Sequence, residues 1–196
     1  MTGSRVHISN SWSTLPAQSR PPVSTISRFE YLTRLNLKIA RVDAYAVKIG
    51  PLQEGKATDG VDEYGEYFIH QDAWTSIYSK RHETALVRIE TDTGLVGWGE
   101  AQAPVSGRAV RAIVEDLCTP VLMGGDPFDV EYLWYRIYSS MRERGHVTGF
   151  FVDAIAGVDL ALYDLLGKAL NKPAHKLLGG RFRKRVRVYA GMGGTD

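Results

Sequence analysis

Residues 154–168 read AIAGVDLALYDLLGK, and Pro173 and the triplet Leu177-Leu178-Gly179 follow them. Apolar side chains recur here at the spacing of one helical face, which predicts a helix from about Thr148 to Leu170. This apolar face comprises Phe151, Ala154, Ile155, Val158, Leu162, Leu165, Leu166 and Ala169. The opposite side is rich in alanine and glycine, so we expect the helix to be buried on nearly all sides.

The polar residues of this helix carry predictions of their own. Asp164 and Lys168 have the i, i+4 spacing that forms a favourable pair on a helix surface. Asn171 and Pro173 should end the helix, because asparagine tolerates the left-handed cap conformation and proline cannot continue the hydrogen bonding. Asp159 and Asp164 are interpreted as paired or solvated helix carboxylates and not as metal ligands.

Two shorter helices are predicted upstream of this one. Ser106 is placed to cap the first, and Pro120 should end it. Asp126 and Pro127 are typical of the N-cap and the first position of the second. Their apolar stripes are Val110, Ile113, Val114 and Leu117, and then Val130, Leu133, Trp134, Ile137 and Met141.

Alternating apolar and polar residues predict strands before these helices. Residues 40–44 alternate with apolar side chains at even positions, and the phase then changes. A bulge near Tyr45-Ala46 or burial of both faces would explain that change. Residues 85–90 and 95–100 flank Asp92-Thr93-Gly94, which predicts a hairpin. The three strands should form a small antiparallel sheet.

Three other stretches lack this clear pattern. Residues 50–82 form a predicted long loop, and its many aromatic residues argue against disorder alone. Residues 186–190 alternate like a strand but have no partner in the hairpin, so they should open a further domain. Residues 1–37 are rich in serine and poor in acidic residues, and we expect a disordered tail there.

The stretch 154–168, with Pro173 and Leu177-Leu178-Gly179, resembles the signature of the mandelate racemase and muconate lactonizing enzyme family of the enolase superfamily. It departs from that signature at Ala174, where a larger aliphatic residue is usual.

The resemblance, which extends over residues 38–196, implies an α+β fold. A three-stranded antiparallel sheet and a three-helix bundle would form a capping domain over residues 38–180. Residues 181–196 would begin a (β/α) barrel whose remainder is missing. The small residues of the signature should let the helix pack closely against its neighbours.

The resemblance also implies a magnesium-dependent enzyme that removes a proton next to a carboxylate. In the family, later barrel strands hold the metal ligands and bases, so we assign no catalytic and no metal residue to this chain. We expect the chain alone to be inactive and to bind no magnesium. The polar, aromatic lid favours an acid-sugar dehydratase, whereas racemization, epimerization and cycloisomerization stay open because the barrel decides among them. A stand-alone cap that binds a partner protein through the surface of the missing barrel is the alternative from another class.

In the family, the loops after the first strand and after the hairpin fold over the substrate. Here they correspond to residues 50–82 and 101–107, and packing of the loops is the alternative role of their side chains. The candidate substrate contacts are Tyr67, His70, Trp74, Gln102 and, before the third helix, His146. Hydrogen-bonding groups of this kind suit a hydroxylated sugar acid, a small carboxylate-bearing substrate.

Composition excludes several classes of partner. The formal net charge of +2 provides no strong field for nucleic acid or anionic lipid. We interpret the basic run Arg181–Arg187 as a solvated loop, and no apolar run is long enough to cross a membrane. Cys118 is the lone cysteine, so a reducing, cytoplasmic compartment fits, and we interpret it as a packing residue. The resemblance implies a homo-oligomer for the full-length enzyme.

Overall fold

The structure is a computed structural model that describes residues 36–51, 61–70 and 75–189; for residues 51, 61–64 and 70 it describes the backbone alone. All of these residues belong to one compact unit, Asn36–Asp196. Leu37 is already buried in this unit. Of the predicted tail over residues 1–37, residues 1–35 lie outside the described residues.

The predicted three-stranded antiparallel sheet is confirmed. Strand β1 (Ile39–Pro51) pairs with β5 (Arg81–Thr91), which pairs with β6 (Val96–Ala101). Gly94 has a φ of 80° in the turn between β5 and β6, and its N–H donates to the Thr91 carbonyl at 2.9 Å. Glycine adopts this conformation without steric cost, so the turn forms where the sequence predicts it.

Neither explanation of the phase change in β1 is correct. The register with β5 is unbroken over residues 41–49, so no bulge occurs at Tyr45-Ala46. The even-numbered side chains face the core, where Ala44 is buried, while Tyr45 and Ile49 stay exposed on the other face. The Tyr45 and Trp98 rings have centroids 6.0 Å apart. Neighbouring side chains on the outer face thus cover one another without a second core.

The prediction of a loop over residues 50–82 is wrong for much of its length. Strands β2 (Val61–Tyr64), β3 (Tyr67–His70) and β4 (Ser76–Ser79) form a second antiparallel sheet in the order β2-β3-β4. We call residues 61–70 and 75–79 the meander. Each of its strands has 4 residues, too few for the alternation to stand out in the sequence.

The helical part confirms three main helical bodies. The first consists of α1 (Gly107–Ile113), a π-helical turn (Val114–Cys118) and α2 (Thr119–Leu122). The second is α3 (Val130–Ser140), and a 3₁₀ turn (Arg142–Arg144) leads on from it. The third is α4 (Phe150–Leu170), and the short helix α5 (Ala174–Leu177) follows. The fold is therefore α+β, as predicted.

Ser106 is the N-cap residue of the first helical body, as predicted, whereas the predicted end at Pro120 is wrong. Ser106 has a φ of 56° and its side chain makes no capping hydrogen bond. Pro120 does not stop the helix, because the π-helical turn shifts the register before it. The Thr119 N–H and hydroxyl both donate to the Val114 carbonyl, the hydroxyl at 2.9 Å. Pro120 then lies in the first turn of α2, where its missing N–H costs little.

The second helix begins later than predicted. Asp126 Oδ1 accepts the Phe128 N–H at 2.9 Å, so it closes a turn before the helix and does not cap it. Asp129 is the N-cap residue of α3. Trp134 is exposed and stacks on Tyr138 with ring centroids 5.0 Å apart, so it does not belong to the buried stripe.

The third helix lies on the sheet as its small residues suggest. A Cβ atom added at Gly99 would lie 2.0 Å from the Gly157 carbonyl oxygen, which confirms close packing of β6 on α4. Asn171 ends α4 with a φ of 51°, as predicted. The expectation of burial on nearly all sides is wrong, because Leu160 is 52% exposed and Ala156 is exposed as well.

The predicted strand at residues 186–190 does not form within the part that the structure describes, which ends at residue 189. Residues 181–189 are exposed and pair with no other strand among the described residues. An isolated extended segment lacks the neighbour that a β-ladder requires. The basic residues of this segment are solvated, as predicted.

Among the described helices, none has the length and apolarity to cross a membrane.

Candidate functional site

A depression of about 560 Å³ lies where the meander meets β1 and α1. Its lining residues are Ala46, Lys48, Glu66, Tyr67 and Arg108. Ala46 and Lys48 belong to β1, Glu66 and Tyr67 to the meander, and Arg108 to the first turn of α1. The depression therefore adjoins both segments that the sequence predicts as lids.

Lys48 is the centre of the charges in this depression. Its Nζ lies 2.6 Å from Glu66 Oε2 and 3.1 Å from Glu83 Oε1, and 5.2 Å from the centroid of the Tyr67 ring. The hydrogen bonds to Glu66 and then to Glu83 raise the pKa of Lys48 well above its ordinary value. Lys48 therefore stays a cation throughout the physiological pH range.

Glu83 is a buried carboxylate beneath the depression, with its side chain 1% exposed. It accepts hydrogen bonds from Ser79 Oγ at 2.6 Å, from the Gly107 N–H at 3.2 Å and, more weakly, from Tyr67 Oη at 3.5 Å. Burial raises the pKa of Glu83, but the bonds from Ser79, Lys48 and the Gly107 N–H outweigh it, so the pKa is lowered overall. The carboxylate is therefore ionised at neutral pH.

Of the predicted site residues, the structure brings Tyr67 into this depression, where it is half-buried. His70 lies on β3, but its side chain and all of Trp74 are outside the described residues. Gln102 follows β6 and His146 precedes α4; both are exposed, and neither lines the depression.

Sequence reasoning missed Lys48, Glu66, Glu83 and Arg108. One signal could have identified Glu83. The inward face of β5 continues through Ala85, Val87 and Ile89, so an acidic residue at position 83 falls on a core-facing position. Buried carboxylates require partners, which makes such a residue a candidate for a specific role.

The described residues do not fit a magnesium site. Among them, no group of three or more histidine, cysteine, aspartate or glutamate residues is placed to hold a metal ion.

Asp164 accepts the Trp98 N–H at 2.8 Å and pairs with Lys168 at 2.6 Å, which confirms the predicted i, i+4 pair. Cys118 is buried, and burial raises the pKa of its thiol to about 12, as suits a packing residue.

The ionisation of Glu83 predicts a pH-dependent stability. Its stabilising effect is fully present above the ordinary glutamate pKa of 4.5 and is lost as the pH falls through the lower folded-state pKa. We expect the melting temperature to fall between about pH 5 and pH 3 and to fall less in Glu83→Gln. Calorimetry across this range measures both slopes. Glu143→Gln, at an exposed carboxylate, should keep the wild-type slope, and an unchanged slope in Glu83→Gln would contradict the assignment.

Comparison with known proteins identifies relatives of the chain. Residues 65–179 match the family model described as mandelate racemase / muconate lactonizing enzyme, N-terminal domain. The chain is 48% identical over 108 residues to the D-galactonate dehydratase of Verminephrobacter eiseniae, which is 55% of this chain and 28% of that protein. It is 38% identical over 125 residues to the D-xylonate dehydratase of Haloferax volcanii, which is 64% of this chain and 29% of that protein. The chain thus spans less than a third of either relative's length.

Solved structures resemble the same region. A member of the enolase superfamily from Agrobacterium tumefaciens aligns with a TM-score of 0.68 and 32% identity, over 74% of this chain and 38% of that one. A mandelate racemase/muconate lactonizing protein from Paracoccus denitrificans, complexed with magnesium, aligns with a TM-score of 0.54 and 32% identity, over 76% of this chain and 32% of that one. In both cases most of the neighbour lies beyond the region matched.

Proposed function

Because the chain belongs to the mandelate racemase / muconate lactonizing enzyme family, we propose that it is the substrate-covering cap of an acid-sugar dehydratase. The observation that carries this proposal is its identity of 48% and 38% to dehydratases named for D-galactonate and D-xylonate. The substrate would be a polyhydroxylated acid of that class, and the reaction would remove the proton next to the carboxylate and a neighbouring hydroxyl as water.

The lining of the depression supports this substrate class. Arg108 has no hydrogen bond or ion pair to any other residue that the structure describes, so its guanidinium is available to a ligand. Its five N–H donors suit the hydroxyl and carboxylate oxygens of a sugar acid. Glu66 and Tyr67 add polar groups beside it. An apolar substrate would leave the Arg108 guanidinium without a partner, which is unfavourable.

We propose that the cap contributes binding and exclusion of water, and that it does not contribute the proton transfer. The meander and residues 101–107 would close over the substrate, which strengthens electrostatic interactions beneath them. The resemblance assigns magnesium and the bases to the barrel. Since the described residues do not fit a metal site, no step of the reaction is assigned to a metal held by them.

Location and assembly follow as parts of the same proposal. A lone, buried cysteine and a formal net charge of +2 support a cytoplasmic protein that binds neither nucleic acid nor membrane. The full-length enzyme would be a homo-oligomer, as the resemblance implies. Size-exclusion chromatography of a full-length form would test this, and a monomer would contradict it.

The test joins residues 36–180 to the barrel of the Verminephrobacter eiseniae relative. We expect this chimera to dehydrate a sugar acid in the presence of magnesium, and the 196-residue chain alone to show no turnover above a metal-free control. In the chimera, Arg108→Met should raise KM about tenfold, the effect of losing a charged hydrogen bond. Sugar-acid consumption followed by chromatography reports all three results.

Arg111→Met provides the matched control. Arg111 lies on the same helix, but it does not line the depression, and its Nε lies 2.8 Å from Glu115 Oε1. Its KM should stay at the value of the unsubstituted chimera. A folded chimera that isomerises sugar acids without loss of water would overturn the dehydratase assignment. Turnover by the chain alone would overturn the division of labour between cap and barrel.

A further inference from the structure

We propose that Glu83 is a positioning residue that ties the meander and residues 101–107 to one carboxylate, so that both segments open and close together. Their description as substrate-covering segments rests on the proposed function, whereas the coupling itself is a property of this chain alone. The inference comes from where the four donors to Glu83 originate.

Each donor belongs to a different element. Oε1 accepts from Ser79 Oγ on β4 at 2.6 Å and lies 3.1 Å from Lys48 Nζ on β1. Oε2 accepts the Gly107 N–H, at the end of the 101–107 segment, at 3.2 Å, and the Tyr67 hydroxyl on β3 at 3.5 Å. One oxygen thus contacts the first sheet and the meander, and the other contacts the meander and the segment after β6.

The chemistry of this position favours a coupling role over a simple core role. Glu83 occupies an inward position of β5, where an apolar side chain would avoid the cost of burying a charge. The carboxylate is instead satisfied by donors from elements that are distant in sequence, with Gly107 24 residues away. If either segment opens, the buried Glu83 carboxylate loses donors. The free-energy cost of this loss makes the other segment easier to open.

Further contacts hold each segment separately. The Lys80 N–H donates to the Glu66 carbonyl at 2.9 Å within the meander region, and Arg81 lies 3.7 Å from Glu66. The Thr84 hydroxyl donates to the Ala101 carbonyl at 3.0 Å at the start of the other segment. Glu83 is a point at which the hydrogen bonding of the two segments meets.

Hydrogen exchange followed by mass spectrometry on the full 196-residue chain tests the coupling. In Glu83→Gln, protection factors should fall on the order of tenfold in residues 65–70, 75–80 and 102–109, and should fall clearly less in α4. Glu90→Gln is the matched control on the same strand, since Glu90 pairs with Arg88 on the outer face at 2.8 Å. It should leave both segments unchanged.

A second variant separates coupling from simple loss of stability. Ser79→Ala should loosen the meander and, to a smaller extent, residues 102–109, because the buried carboxylate that both segments share loses one donor. In the double variant, the meander should exchange no faster than in Glu83→Gln alone, since both changes remove one interaction. Additive effects, loosening of only one segment in Glu83→Gln, or an equal loss in α4 would overturn the proposal. If Glu83→Gln does not fold, unchanged protection of residues 102–109 in Ser79→Ala overturns it.

These measurements use no substrate. An inactive chimera would therefore count against the proposed function without bearing on Glu83. Uncoupled exchange would count against Glu83 without bearing on the dehydratase assignment.

Discussion

Gly99→Ala is expected to destabilise the chain by about 3 kcal/mol or more, at the upper end of the cost of overpacking. A Cβ atom at this position would lie 2.0 Å from the Gly157 carbonyl oxygen and 2.6 Å from the Ala161 nitrogen. Both are backbone atoms of α4, so no rotation of a side chain can relieve the clash. The helix must move away from β6, which opens the main core between helix and sheet.

Urea denaturation followed by circular dichroism measures this effect against Gly124→Ala. Gly124 has a φ of 74° and open space around its Cβ direction, so its substitution adds backbone strain without a clash. That control should cost about 1 kcal/mol. Equal losses in the two variants would show that steric contact between β6 and α4 is not what limits position 99.

Leu165→Ala is expected to cost about 3 kcal/mol, as large-to-small changes at fully buried leucines do. Leu165 is 0% exposed on the face of α4 that packs on β6, next to the position of Gly97. Removing its branched side chain leaves a cavity, because Gly97 and its neighbours cannot move inward to fill the space. The midpoint of urea unfolding should fall with little change in slope.

Leu160→Ala on the same helix is the matched control. Leu160 is 52% exposed, so its loss should cost less than about 1 kcal/mol. The two variants remove the same atoms from one helix and differ in burial. If both lose similar stability, the packing of α4 against the sheet is not the main source of stability.

Much of the fold could be predicted from local pattern alone. The hairpin around Gly94 and the end of α4 at Asn171 were predicted because a turn glycine and a left-handed cap are local requirements. The signature at residues 154–168 identified the family because it combines a helical apolar face with small residues where the sheet approaches. These features depend on residues that are near one another in the chain.

Errors occurred where a local signal had more than one structural outcome. Pro120 usually ends a helix, yet the π-helical turn before it lets the helix continue to Leu122. Asp126 is a typical N-cap, yet it closes a turn ahead of α3. The exposed side of α4 could not be predicted either, because alanine and leucine at positions 156 and 160 are compatible with both burial and exposure.

The residues of the candidate site were likewise only partly predictable from the sequence. Tyr67 was predicted from the resemblance, while Arg108 and Glu83 were not, because nothing near them in the sequence marks a site. Glu83 meets Gly107 across 24 residues of chain, and Lys48 reaches it from another strand. Only the packed structure brings those groups together.

The sequence by itself determined the family, the first sheet and the three helical bodies, since hydrophobic period and turn chemistry act over a few residues. Only the tertiary structure decided the meander, the π-helical turn and the donors around the Glu83 carboxylate. The physical reason is that a buried charge takes its partners from whichever elements pack around it, and packing is a property of the whole chain.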